Sequence, residues 1–143
     1  MILDAGFLVS VDRGEHPAQE FLHAAIQRST PLRTTQPVVA QVWRNGARQA
    51  RLARFLATIT IHDLDNGRIV GAILARSGTA DVVDAHLVAL AVECAEPILT
   101  GDIGDIEILV ASLPADRPRI HRWPDAATPA PLGITHQSEV RTR

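Results

Sequence analysis

The sequence contains no lysine, and all fourteen of its basic residues are arginine. The absence of lysine excludes Walker-A phosphate binding, lysine Schiff bases and the lysine-dependent chemistry of phospho-receiver domains. Cysteine is nearly absent too: Cys94 is the single one, so neither an internal disulfide nor a cysteine metal cluster can form. One lone thiol is typical of a protein in a reducing compartment.

Long apolar runs and a strong charge of either sign are also missing. Charged residues such as Asp12, Asp84 and Glu93 interrupt the apolar stretches before they are long enough to cross a bilayer. The first residues lack the basic-then-apolar pattern of a signal peptide, so we expect a cytoplasmic protein without a membrane segment. The formal net charge of −2 provides no overall attraction to nucleic acid, and any such contact must come from a local patch.

The length and the apolar content predict one compact domain. The chain has 143 residues, of which 46% are apolar, and this is enough for one hydrophobic core. Short apolar strands such as Ile2-Leu3 and Ile98-Leu99-Thr100 alternate with segments of helical period, which indicates an α/β fold with a central, mostly parallel sheet flanked by helices. The sequence becomes rich in proline after a last strand near 120–123. We therefore expect a domain over 1–123 and a flexible tail over 124–143.

Aspartates stand at the ends of two predicted strands and at the starts of two predicted helices. Asp4 follows the first strand, Asp102 follows a later one, and Asp81 opens a helix together with Asp84. Asp105 lies one turn after Asp102, on the same helical face. Carboxylates that converge at the carboxyl ends of parallel strands are what a hard divalent cation requires. Taken singly, the four helix-terminal aspartates are better explained as N-caps or as acids favoured by the helix dipole.

Three sequence motifs contain these aspartates in a fixed order. They are Ile2-Leu3-Asp4-Ala5, then Asp81-Val82-Val83-Asp84-Ala85-His86-Leu87-Val88-Ala89-Leu90-Ala91, then Ile98-Leu99-Thr100-Gly101-Asp102 followed by Asp105. Together they resemble the motifs of PIN domains, and among these the VapC-type toxins of bacterial toxin–antitoxin pairs. The resemblance covers about residues 1–123. It implies a single PIN-like domain that hydrolyses RNA with Mg²⁺ or Mn²⁺, a cognate VapB-like antitoxin that covers the acidic groove, and a homodimer.

The resemblance also implies roles for the individual acids. Asp4, Asp84 and Asp102 match the family's catalytic metal ligands. Asp81 and Asp105 are then outer ligands, or helix caps as described above. In this interpretation the metal polarises a phosphoryl oxygen and activates a water for in-line attack on the phosphodiester.

Two further residues are expected to line this site. Thr100 can orient it through its hydroxyl group, although packing within the strand is the favoured role. Gln41, in the context Val38-Val39-Ala40-Gln41-Val42-Trp43, stands where the family usually has a glutamate. An amide brings no negative charge and cannot act as a base, which leaves open a catalytically weakened or inactive module that binds RNA or a protein partner.

A row of arginines is the candidate RNA-binding surface. The segment 47–56 is predicted to be a basic amphipathic helix whose polar face continues the row Arg44, Arg48, Arg51 and Arg54. A guanidinium group can hold a phosphate through two parallel hydrogen bonds. A solvated helix face explains the row equally well.

Trp43 and His86 are not expected to act in the site. Core packing is favoured over base stacking for Trp43, and a core or surface position over a catalytic role for His86. Two other enzyme classes fit the sequence poorly. A phosphatase that uses Asp4 as nucleophile would need a second aspartate where Gly6 stands, and the nine glycines never form the Gly-x-Gly-x-x-Gly of a dinucleotide-binding domain.

Overall fold

The structure, a computed structural model, describes residues 1–124, so the tail predicted over 124–143 lies outside the described residues apart from Pro124. The strands found within residues 1–124 form a single sheet with the order β3-β2-β1-β4-β5, and every neighbouring pair is parallel. The predicted α/β class with a central parallel sheet is confirmed. The strands are β1 (Ile2–Leu3), β2 (Arg33–Thr35), β3 (Thr60–His62), β4 (Ile98–Thr100) and β5 (Ile120–Arg122).

The strand order reverses at β1. The chain moves outward from β1 through β2 to β3, returns to β4 on the other side of β1, and continues outward to β5. Because parallel crossovers are right-handed, this reversal places the helices of the first half on one face of the sheet and those of the second half on the other. The helices are α1 (Ala5–Arg13), α2 (His16–Gln27), α3 (Gln36–Val42), α4 (Ala50–Leu56), α5 (Gly67–Ser77), α6 (Val82–Cys94) and α7 (Ile103–Ala111).

Helix ends follow local sequence signals. The Thr35 hydroxyl accepts a hydrogen bond from the Val38 N–H at 3.3 Å and so caps α3, with Pro37 in the first turn. Gly14 and Gly78 end α1 and α5 in the left-handed conformation, with φ values of 66° and 69°. A side chain there would be strained, so both helices stop where glycine permits the turn.

Helix α6 is the centre of the core. Its residues from Ala85 to Ala91 are buried on all sides, and the helix packs against β1, β2, β4, α5 and α7. A sequence that is apolar around the whole helix is typical of this position. With 13 residues, α6 is the longest of the described helices, and none of them is long and apolar enough to cross a membrane.

Aromatic side chains form one cluster on the face of α1. The rings of Phe7, Phe21, Phe55 and Trp123 meet edge-on, with centroid distances of 4.8–6.0 Å. The cluster joins α1, α2 and α4 to the end of β5. Trp43 does not belong to it and remains 38% exposed, so the prediction that Trp43 packs in the core is wrong.

The basic helix predicted over 47–56 begins three residues later, at Ala50. Arg44 and Arg48 lie in the preceding loop 43–49 and not on the helix, so the four arginines do not share one helical face. The physical reason is a turn at Asn45-Gly46. The Asn45 side chain accepts a hydrogen bond from the Ala47 N–H at 3.0 Å, which satisfies that donor without a helix.

Candidate active site

The candidate active site lies where the strand order reverses. β1 and β4 are neighbours, and the chain leaves β1 into α1 on one face and β4 into α7 on the other. A crevice at the carboxyl ends of such strands is the usual ligand-binding place of an open parallel sheet. Asp4 follows β1 and Asp102 follows β4, so both predicted acids stand at this edge of the sheet.

Thr100 connects these two acids through its hydroxyl group. Its Oγ1 donates to Asp4 Oδ2 at 2.6 Å and accepts from the Asp102 backbone N–H at 3.0 Å. The Asp4 carboxylate accepts a second hydrogen bond from the Ala5 N–H at 2.6 Å. Thr100 is fully buried and Asp4 exposes only 7% of its surface. Strand packing, the role favoured for Thr100 on sequence, is therefore accompanied by a direct role in orienting Asp4.

Asp84 enters the same site from the start of α6. Asp81 caps this helix, because its Oδ1 accepts from the Asp84 N–H at 3.0 Å. The pKa of Asp84 is raised to about 7, first by burial and then by the negative charges of Asp81, Asp4, Asp105 and Asp102. All four acids are close enough to act on Asp84. The structure thus brings the five predicted aspartates into one electrostatic cluster.

Among residues 1–124, no arginine forms an ion pair with the acids of this cluster. The charge of Asp102 raises the pKa of Asp105, with smaller contributions from burial, a hydrogen bond to Asp102 and the charge of Asp81. Within residues 1–124, none of the five aspartates forms an ion pair. The ion pairs of this region join the Met1 ammonium and Arg33 to Glu96, Arg13 to Glu15, and His16 to Glu20.

The carboxylate oxygens of these aspartates are the ligand type that a hard divalent cation prefers. In residues 1–124 they do not surround a single metal position. Among residues 1–124, no three acidic, histidine or cysteine side chains lie close enough together to hold a metal ion. Carboxylate oxygens are the ligands that Mg²⁺ and Mn²⁺ prefer. Asp4, Asp84 and Asp102 therefore have the ligand chemistry that the predicted ion requires, while their side chains do not surround a metal position in residues 1–124.

Gln41 lies on the helix that follows the neighbouring strand. Helix α3 begins at the carboxyl end of β2, beside β1, and packs against α1. Gln41 is exposed in the last turn of α3. Its amide adds no charge to the helix that stands next to the acidic cluster.

The predicted RNA-binding arginines fall into two groups. Arg44 and Arg48 are exposed in the loop 43–49. Arg51 lies on α4 and packs over Gly14, where an added Cβ would stand 3.0 Å from its Nε. Arg51 and Arg54 line an open groove of about 330 Å³ between α1, α2 and α4.

Gln49 organises the loop 43–49, a role that the sequence did not indicate. Its Oε1 accepts from the backbone N–H groups of Arg44 at 2.7 Å and Asn45 at 2.9 Å. Its Nε2 donates to the Val42 carbonyl at 2.9 Å and to Asp12 Oδ2 at 3.2 Å. The one available signal, a glutamine just before a helix, is too common to single out.

His86 occupies a core position, in line with the structural role favoured for it. It is 1% exposed, and its Nδ1 has no hydrogen-bond partner in the part of the chain that the structure describes. Burial lowers the pKa of His86, with His62 acting in the same direction and with Asp65 and Glu93 opposing it. Burial therefore disfavours the charged form of this imidazole.

The comparisons with known proteins agree with this fold. No family model and no curated protein matches the sequence. The structure is similar to a chain of the crystal structure of VapBC2 from Rickettsia felis bound to a DNA fragment from their promoter, with a TM-score of 0.61 and 16% sequence identity. The match covers 85% of this chain and 97% of that chain. The chain has a VapC-like PIN-domain fold, as its motifs predicted.

Proposed function

We propose that this protein is a toxin-type ribonuclease that hydrolyses RNA phosphodiester bonds with a divalent cation. One observation carries the proposal: the carboxyl group of Asp84, with a pKa raised to about 7, is half-buried beside four other aspartates. A helix cap needs one acid, whereas a cluster of repelling acids in a crevice is typical of a functional site. A divalent cation would relieve this repulsion.

Three of the acids are proposed as direct ligands. Asp4, Asp84 and Asp102 would hold Mg²⁺ or Mn²⁺, and Asp81 and Asp105 would act as outer ligands. Such an ion, when bound, supplies charge stabilisation at a phosphoryl oxygen and lowers the pKa of a water molecule.

The protein's own groups orient this site and handle the proton. Thr100 holds the Asp4 carboxylate in one orientation through its bond to Oδ2. Asp105 is exposed, and the charge of Asp102 raises its pKa, so that it is suited to accept a proton from the attacking water. The guanidinium groups of Arg44, Arg48 and Arg51 would hold phosphates of the RNA.

We further propose a VapB-like antitoxin as the partner that inhibits this activity. Support comes from the structural neighbour, which is a chain of a VapBC2 complex. A homodimer is proposed on the family resemblance. Sedimentation velocity on the purified protein, with and without a co-expressed antitoxin, measures both assemblies.

A second candidate function is an inactive PIN-like module that binds RNA or a protein. Two observations favour it. Gln41 stands where PIN domains usually have a glutamate. The acids among residues 1–124 also do not surround a metal position. Metal-dependent turnover separates the two functions.

The test is cleavage of a mixed RNA pool that contains tRNA and rRNA fragments. The reaction is run with Mg²⁺, with Mn²⁺ and with a chelator, on antitoxin-free protein. Asp84→Asn removes the central carboxylate. Asp116→Asn is the matched control, because Asp116 is an exposed aspartate outside the cluster whose φ of 52° asparagine also accepts.

We expect metal-dependent cutting by the wild type and by Asp116→Asn, and none by Asp84→Asn. If the folded wild type does not cut with either metal, the second candidate function replaces the first. Cutting that persists in the chelator would contradict the metal mechanism.

A further inference from the structure

We propose that the loop 43–49 is a base-stacking platform for single-stranded RNA, with Trp43 as a specificity-determining residue. The inference rests on the proposed function and deepens it, since it names how the substrate is held. Arg44 and Arg48 supply the phosphate contacts of this platform. Hereafter the loop 43–49 is called the Trp43 loop.

Trp43 is the exception among the aromatic residues. The sequence has three phenylalanines, two tryptophans and no tyrosine, and the other four aromatic rings pack together in the core. Trp43 is 38% exposed and lies against Gly46, where an added Cβ would stand 3.1 Å from its Cζ2. The exposed part of the Trp43 indole is accessible to a base, and stacking of one base on an aromatic ring favours binding.

The Trp43 loop is held in one conformation. Gln49 is buried and binds the backbone at Arg44, Asn45 and Val42 as well as the side chain of Asp12. A loop fixed by four hydrogen bonds presents its ring with little loss of conformational entropy on binding. Gln49 is thus a positioning residue of the platform.

The charge of the loop matches nucleic acid and not a basic partner. Residues 43–49 contain two arginines and no acid. Arg44 Nη1 donates to the backbone carbonyls of Ala40 at 3.1 Å and Trp43 at 2.7 Å, and Arg44 forms no ion pair with any carboxylate of residues 1–124. Within residues 1–124, Arg48 forms no ion pair either. Two uncompensated guanidinium groups beside an aromatic ring are the usual elements of a single-stranded nucleic-acid site.

The loop lies within reach of the acidic cluster. The Gln49–Asp12 bond ties it to α1, and Asp4 stands at the N-terminus of that helix. Eight residues separate Asp4 from Asp12, which is about 12 Å along a helix. A short RNA strand can therefore contact both places. The bases must be unstacked to meet the ring, so a duplex does not fit.

The experiment measures binding of short, labelled single-stranded RNA of mixed sequence at fixed salt. All proteins carry Asp84→Asn so that the RNA is not cut. Trp43→Ala removes the ring and Trp43→Phe keeps an aromatic face. Ile69→Ala is the matched control, because Ile69 is an apolar residue of α5 that is 58% exposed.

We expect Trp43→Ala to weaken binding of single-stranded RNA by about 5- to 150-fold, the range for loss of one stacked base. Trp43→Phe and Ile69→Ala should stay within a few-fold of the parent, and binding of a duplex should not depend on Trp43. RNA should also quench tryptophan fluorescence in the parent. The Trp43→Phe protein should show much weaker quenching, because the remaining Trp123 is buried.

Equal affinities for the parent and Trp43→Ala, or quenching that is undiminished in Trp43→Phe, would overturn the platform. So would an effect of Trp43→Ala on antitoxin binding or self-association alone, which would make the loop a protein interface. Failure of the nuclease proposal is distinct: a wild type that cuts no RNA, together with weakened binding in Trp43→Ala, refutes the activity and supports the platform.

Discussion

The negative charge of Asp84 should destabilise the metal-free protein. Its pKa in the folded protein is about 7, against an ordinary value of 3.8. A carboxyl group whose pKa is raised by folding holds its proton more tightly in the folded than in the unfolded chain. The loss of folding free energy that ionised Asp84 causes is absent below about pH 4, grows as the pH rises, and is complete above about pH 7. We therefore expect Asp84→Asn to be more stable than the wild type at neutral and alkaline pH.

The size of this effect follows from the pKa shift. A shift from 3.8 to about 7 is about three units, and each unit corresponds to about 1.4 kcal/mol, so the upper limit is about 4 kcal/mol. Asp84 is only half-buried, and water screens its interaction with the other acids. We expect about half of the limit, or ~2 kcal/mol. Asparagine retains the backbone N–H that Asp81 caps.

Urea unfolding in the presence of a chelator measures this difference. The free energy of unfolding is compared for the wild type, Asp84→Asn and the control Asp116→Asn at about pH 4 and about pH 8. The advantage of Asp84→Asn should be near zero at the lower pH and ~2 kcal/mol at the higher. The titration of His86 is common to all three proteins and cancels. At the higher pH, Mg²⁺ or Mn²⁺ should stabilise the wild type and not Asp84→Asn.

An advantage of Asp84→Asn that is the same at both pH values would refute the reasoning. It would mean that Asp84 ionises normally and that its neighbours do not act on it. Equal stabilisation of both proteins by the cation would place the ion elsewhere.

Three other predictions test residues around the site. Thr100→Val should destabilise the protein by about 1–3 kcal/mol in urea unfolding and reduce RNA cleavage, because Asp4 loses its hydrogen bond, whereas Thr100→Ser should keep both properties. Equal losses in the two variants would show that the hydroxyl is not what matters. If Gln41 lines the site as predicted, Gln41→Glu adds a carboxylate there and should strengthen Mn²⁺ binding in a calorimetric titration by about tenfold; an unchanged affinity would place Gln41 outside the site. Gln49→Leu should speed hydrogen exchange at the Arg44 amide, which loses its acceptor. Unchanged exchange there would mean that Gln49 does not hold the loop.

Much of the fold was predictable because its signals are local. The period of apolar residues marks strands and helices, and caps such as Thr35 and glycines such as Gly78 mark helix ends. The start of α4 was not predictable. There a turn at Asn45-Gly46 competes with a helical pattern, and the Gln49 side chain supplies hydrogen bonds from outside the turn.

The aspartates of the candidate site could be selected from the sequence, and the interactions between them could not. The order of the motifs pointed to the five aspartates because each follows a strand or starts a helix. The bond from Thr100 to Asp4 joins residues that are 96 positions apart, and no local pattern reports it. The exposure of Trp43 was predicted wrongly, since a rare aromatic residue is more often in a core.

The sequence alone determined the α/β class, the central parallel sheet and the acids that could share one edge, because period, caps and strand ends are properties of short segments. Tertiary structure decided the rest. The strand order β3-β2-β1-β4-β5 places the ends of β1 and β4 side by side, and this proximity makes Asp84 respond to acids from three separate regions of the chain. Burial and electrostatic repulsion depend on distance in space, and distance in space is set only when the chain has packed.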